Sequence, residues 1–214
     1  MMIIGAKGFA KEVLQVLFQL NAIRDVVFFD DISSNLPERL YEKFEIIRNI
    51  EDAKYYFHNI DNQFTVGLGQ PQVRERLAKK FEKLSGKLTT VISPKADVGS
   101  FNTFVGNGVN IMTGSVITND VQVGDGCLIN LNCTIGHDTC IGEYTELSPG
   151  VHISGNCKIG SFCILGTGAV VLPKVKIGDN VTVGAGAVVT KDIVNNRVVV
   201  GIPARVLNFP AVKN

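Results

Sequence analysis

In a chain of 214 residues, 21 basic and 20 acidic side chains leave a formal net charge of +1, so there is no basic footprint for nucleic acid and no charged tail. No stretch reaches 18 uninterrupted apolar residues, and the N-terminus carries neither the charged leader nor the long apolar core of a secretory signal. These features exclude a membrane span and predict a cytoplasmic protein of two domains whose partner is a small molecule.

Met2-Ile3-Ile4 reads as a short strand that runs into Gly5-Ala6-Lys7-Gly8-Phe9-Ala10, and the spacing of Val13, Leu14, Val16, Leu17 and Leu20 predicts a helix after that turn. A strand, a glycine turn and a helix start together aim backbone N–H groups and the positive end of the macrodipole at an anion. The spacing lacks the third glycine of a dinucleotide fingerprint, and a tight turn alone would explain both glycines. Val26-Val27-Phe28-Phe29 is a second strand, ending in Asp30-Asp31 where a βαβ fold places a carboxylate for a ribose hydroxyl; a solvated strand end is the alternative. Ile46-Ile47 and Phe64-Thr65-Val66 supply further strands. The latter enters Gly67-Leu68-Gly69-Gln70-Pro71 ahead of a basic helix at 72–84. Three loops thus converge at the carboxyl ends of parallel strands, which is where ligands of such sheets bind. Residues 1–86 therefore read as a small Rossmann-like α/β domain, too short for a full nicotinamide-dinucleotide fold.

The passage Leu88 to Pro94 leads into a second domain at 87–214, dominated by a period of six. From Val105 to Val189 an aliphatic residue returns at every sixth position, with a small or β-branched residue two places before it. That period fits neither an amphipathic helix nor a half-buried strand, and it is the signature of a parallel β-helix of hexads, three to a coil. Both positions should point inward. Glycines such as Gly106, Gly136 and Gly160 follow the aliphatic directly and are expected to supply unusual backbone angles at corners. Val98 to Val105 spans one residue too many, which predicts a bulge near Ser100 to Asn102. Beyond Val189 the register is expected to dissolve into a tail that covers the end of the solenoid. Cys127, Cys133, Cys157 and Cys163 all fall on the small inward position, so packing is expected of them and no metal is expected.

Two histidines lie in the solenoid. His152 precedes an inward aliphatic and reads as a surface residue. His137 sits in Gly136-His137-Asp138, on the outside of a rigid wall, where imidazole can take a proton near neutral pH and a carboxylate can orient the ring.

The hexad register, the Gly-Ile-Pro-Ala-Arg run at 201–205 and the N-terminal Ile-Ile-Gly-Ala-Lys-Gly-Phe-Ala-Lys-Glu-Val together resemble the left-handed β-helix acyltransferases of the sialic acid O-acetyltransferase type. The likeness spans nearly the whole chain and is strongest to nucleotide-sugar N-acetyltransferases of the bacillosamine and perosamine pathways. The run Gly136-His137-Asp138-Thr139-Cys140-Ile141-Gly142 matches the family's context for its general base. The resemblance thus implies His137 as base and Asp138 as the neighbouring acid, with acetyl-CoA as co-substrate. It implies a homotrimer with the coenzyme between adjacent prisms, the Gly155 N–H at the thioester oxygen, and Thr167 and Ala185 along the pantetheine. Some relatives carry a coenzyme-contacting histidine where this chain has Glu146. Lys7, Gly8, Phe9, Asp30, Asp31 and Gly67 would hold the nucleotide.

The expected reaction is direct attack of the amine of a nucleotide-linked amino sugar on the thioester, with no role for Cys140 as a nucleophile. O-acetylation of a sugar hydroxyl keeps the same base and coenzyme and remains an alternative. A non-catalytic trimeric scaffold is the alternative from another class.

Overall fold

The structure, a computed structural model, describes residues 1–207. The N-terminal unit is built on strands β1 (Met2–Ile4), β2 (Val27–Phe29), β3 (Arg39–Leu40), β4 (Phe44–Ile47), β5 (Gln63–Val66) and β6 (Lys87–Leu88). They form one sheet in the order β3-β4-β2-β1-β5-β6, parallel except for the hairpin of β3 with β4. Helices α1 (Gly8–Gln19), α2 (Ile50–Asn59) and α3 (Pro71–Glu82) pack on it. The central strand β1 is buried on both faces, which is why it reads as an unbroken apolar run. Strand β3 and helix α2 were not expected from the sequence. The signal for α2 was present: the Asn49 side chain accepts the Asp52 N–H at 2.9 Å as N-cap, and Glu51 and Asp52 lie in the positive first turn. After β6 completes this sheet the chain crosses at Thr89 and Thr90, and Val91 begins the solenoid.

The solenoid is a three-sided prism. Its first face runs from Val91–Ile92 to Val198–Val200, its second from Asp97–Val98 to Val188–Val189, and its third from Phe104–Val105 to Lys176–Ile177. Within each face, strands one coil apart pair in parallel, as Ile117 does with Ile135 and Ile135 with Ile153. The hexad aliphatics from Ile111 to Val189 are at most 4% exposed, and the small partners, the four inward cysteines among them, are equally buried. Close packing around the axis is what selects those sizes.

Three expectations about corners are settled by the backbone. The extra residue lies at Ser100 to Asn102, where Asn102 takes φ 51°. The glycines that follow the aliphatics do not supply left-handed angles. Those fall two places later, on residues such as Gly168, Asn132 and Asp138. The earlier glycine is needed for space: a Cβ on Gly160 would lie 2.5 Å from the Gly178 carbonyl carbon of the next coil. The register also does not dissolve after Val189. Ile193 bridges Ile177 and Val199 pairs with Val183, so inward residues continue after a step shortened by two. Arg205–Val206 then folds antiparallel onto Val198–Val200 and covers the open edge of the first face.

The N-terminal unit sits on that first face. Ala10, Val13 and Phe28 share a core with Val91, Met112 and Leu128, and the seam includes a buried hydrogen bond of 3.1 Å from Thr65 Oγ1 to Asn110 Oδ1.

Candidate active site

His137 stands at the corner between the second and third faces, placed there because Ile135 and Ile141 on either side of the bend are both drawn into the core. The corner requires a left-handed residue at 138, and Asp138 meets it at φ 56°, a conformation that aspartate tolerates better than most. The carboxylate thereby reaches the ring: His137 Nδ1 and Asp138 Oδ2 are 2.6 Å apart. Both side chains are solvent-exposed. An aspartate is therefore long enough to engage the ring from this corner.

With Nδ1 engaged, Nε2 is the nitrogen left for chemistry. It lies over Gly155, one coil further along the same corner, and a Cβ on Gly155 would fall 2.7 Å from it. With the ring in this position only glycine fits beneath it. Among the described residues no acceptor takes the Gly155 N–H, whereas its carbonyl accepts from Lys174 at 3.1 Å. Thr139, buried beneath the corner, donates to the His137 and Ser154 carbonyls and ties these two turns together. The corner thus presents a basic nitrogen beside a backbone donor.

Thr167 and Ala185 are exposed and stacked one coil apart, but at the corner between the first and second faces. The second face separates them from His137. Glu146 lies on the first face, 16% exposed, with one carboxylate oxygen 3.9 Å from Arg74 and the other accepting from Ser148 at 3.3 Å. Burial raises its pKa, and Arg74 opposes that shift. The structure does not bring Glu146 to His137 within one chain.

In the N-terminal unit the three loops do converge. Gly5, Lys7, Asp30, Asp31, Ser33 and Leu68 are among the residues around a cavity of about 230 Å³ at the carboxyl ends of β1, β2 and β5, with Ile32 exposed at its rim. Asp30 shapes its own loop by accepting the Ile32 and Ser33 N–H groups at 3.2 and 2.8 Å. Asp31 is 3.4 Å from Lys80. Helix α1 begins at this cavity with no side-chain cap, which leaves backbone donors for an anion. Gly8, Phe9 and Gly67 do not line it. Gly8 opens α1, Phe9 packs partly buried against the core that α1 shares with the prism, and Gly67 lets α1 approach, since a Cβ there would be 2.7 Å from Ala10 Cα. A larger depression of about 560 Å³ lies along α2 and the β3–β4 hairpin, around Asp25, Arg39, Ile47 and Tyr55. It shares no lining residue with the cavity at the glycine loops.

No sequence signal marks Arg74, which is 2% exposed and bonded across the seam. A lone arginine in a basic helix reads as solvated, and only the packing of α3 on the prism shows otherwise. Among the described residues no helix is long and apolar enough to cross a membrane, and no cluster of three metal-ligating side chains occurs.

The chain matches the family model of the PglD N-terminal domain over residues 1–81 and that of the bacterial transferase hexapeptide (six repeats) over 156–191. No curated protein matches it by sequence. Among solved structures, the acetyltransferase domain of PglB from Neisseria gonorrhoeae is 30% identical with a TM-score of 0.86, covering 96% of this chain and 98% of that one. A variant of perosamine N-acetyltransferase from Caulobacter crescentus, in complex with CoA and GDP-perosamine, is 27% identical with a TM-score of 0.90, covering 97% and 96%. WeeI from Acinetobacter baumannii is 27% identical with a TM-score of 0.86, covering 96% and 98%. The shared fold is an α/β unit followed by a left-handed β-helix of hexapeptide repeats.

Proposed function

Because the chain belongs to the hexapeptide-repeat acyltransferases that carry a PglD-type N-terminal domain, we propose that it moves acetyl from acetyl-CoA to the amine of a nucleotide-linked amino sugar. The observation that carries this reading is the His137 corner: Nδ1 on Asp138, and Nε2 over a glycine whose N–H has no acceptor among the described residues. The neutral amine attacks the thioester carbon as His137 Nε2 takes its proton, and the Gly155 N–H receives the oxyanion. Collapse breaks the C–S bond, and the same proton passes to the sulfur of the leaving coenzyme. Asp138 keeps the proton of the neutral ring on Nδ1 and stabilises the imidazolium. An oxyanion donor of this kind is worth roughly 3 to 4 kcal/mol.

The nucleotide would lie in the cavity around Gly5, Lys7, Asp30 and Asp31, with its phosphates at the start of α1. The unit that holds this cavity packs on the first face, whereas His137 is on the corner away from it, so in this reading the two halves of the site come from different copies of the chain. This supports a homotrimer with acetyl-CoA in the groove between prisms, where His137 and Gly155 of one copy face Thr167 and Ala185 of the next. Glu146, on the seam, is then remote from the coenzyme carbonyl of its own prism.

The test is coenzyme A release from acetyl-CoA in the presence of UDP-, dTDP- and GDP-linked amino sugars, with matched hydroxy sugars alongside. Release with one amino sugar is expected. Release only with the hydroxy sugars would replace the amine with a hydroxyl acceptor.

A further inference from the structure

We propose that Arg74 is a positioning residue for the acceptor nucleotide, acting through the loop Gly67 to Gln70 without touching the substrate; this rests on the reading of the cavity given above. Arg74 lies in α3, and its guanidinium is sealed in the seam between the two units. Toward the prism, Nε donates to the Gly126 carbonyl at 3.0 Å, and Nη2 donates to those of Tyr144 at 2.6 Å and Thr145 at 3.3 Å. Toward the cavity, Nη1 donates to the Gly69 carbonyl and lies 3.9 Å from Glu146 Oε2. The planar fork of arginine serves all of these at once, which the single ammonium of lysine cannot do.

The Glu146 contact by itself does not account for an arginine here, because apolar packing often replaces a buried ion pair at no net cost. What the guanidinium adds is direction. Three of its acceptors are prism backbone and the fourth is the loop that follows β5. Leu68, beside Gly69, lines the cavity, and so does Leu77, one helical turn from Arg74 on α3. Gly69 also lies close to Glu146: a Cβ there would meet Glu146 Oε2 at 3.2 Å. The loop is therefore tied to the prism at Gly69 through Arg74, with Glu146 close beside it, and a shift of that tie shifts the cavity wall.

The experiment compares wild type with Arg74→Lys and Gly69→Ala in the full chain, using the amino sugar that wild type accepts and acetyl-CoA. KM for the nucleotide sugar is expected to rise about five- to tenfold in Arg74→Lys and less in Gly69→Ala, with KM for acetyl-CoA unchanged in both. Unmoved KM values with only a lower melting temperature would reduce Arg74 to a structural strut, and an equal rise in both KM values would also overturn the proposal. If Arg74→Lys fails to fold, Gly69→Ala decides by the same split. Absence of wild-type turnover on every sugar sinks the acceptor assignment and this role with it, whereas wild-type turnover with an unmoved nucleotide-sugar KM sinks this role alone.

Discussion

The proposed chemistry turns on three residues, and each has a different physical reason to be what it is. In the proposed chemistry His137 is the base, and its replacement by alanine is expected to lower kcat by about 10²- to 10⁴-fold. Calorimetric titration with coenzyme A should find binding unchanged; retained turnover would remove the base role. Asp138 must both adopt φ 56° and reach Nδ1, so Asp138→Asn, which tolerates that backbone, isolates the charge. Gly155 is set by space. Gly155→Ala should push the imidazole off its position, since the ring is the movable partner in that contact, and lower kcat with little change in melting temperature. A Gly155→Ala enzyme with normal kcat would show that the ring need not sit there. The sequence marked all three by resemblance, but only the folded corner shows the ring stacked over the glycine. Asp30 is the opposite case. Its carboxylate is legible as a ribose ligand at a strand end, and the fold adds a second task, since Oδ1 accepts from its own loop while Asp30 lines the cavity.

At the scale of the element, the prism explains what each hexad position tolerates. Truncating a core aliphatic, as in Leu165→Ala, is expected to cost about 2 to 5 kcal/mol in urea unfolding because the rigid coils cannot close the cavity. The two classes of glycine should separate cleanly. Gly168→Ala meets no atom within 4 Å and suffers only the left-handed backbone, about 1 to 2 kcal/mol. Gly160→Ala drives a Cβ into backbone and should cost more. Equal losses would show that backbone angle governs both. Burial pushes the Cys127 thiol up to about 12 and the Cys133 thiol up to about 11, from an ordinary 9.0. Both stay protonated in the fold while the unfolded chain ionises above 9. Stability is therefore intact below about pH 9 and falls as pH climbs toward 11 and 12. Urea midpoints taken from pH 8 upward should decline for wild type and decline less for a Cys127→Ala, Cys133→Ala chain.

For the whole molecule the decisive fact is separation. The cavity is lined by residues of the N-terminal unit, which packs on the first face, and the His137 corner lies between the other two. If copies of the chain share each site, His137→Ala and a cavity-filling Leu77→Trp variant, each inactive alone, should regain part of the activity when co-assembled from mixed unfolded chains. No recovery from assembled mixtures would place both halves of the site within one chain.

The sequence by itself determined the solenoid, its inward residues and the position of its early bulge, because a repeat whose coils touch only their neighbours writes its contacts as a period. It also marked the glycine loops of the first sheet and the histidine corner. The tertiary structure decided where α2 and β3 lie, why the glycines after the aliphatics are small, and how the last coil closes after Val189. It alone placed Arg74 and Glu146 on the seam. Contacts between units of different periodicity join residues such as Arg74 and Tyr144 that no local pattern relates, so they exist only once α3 has packed against the prism.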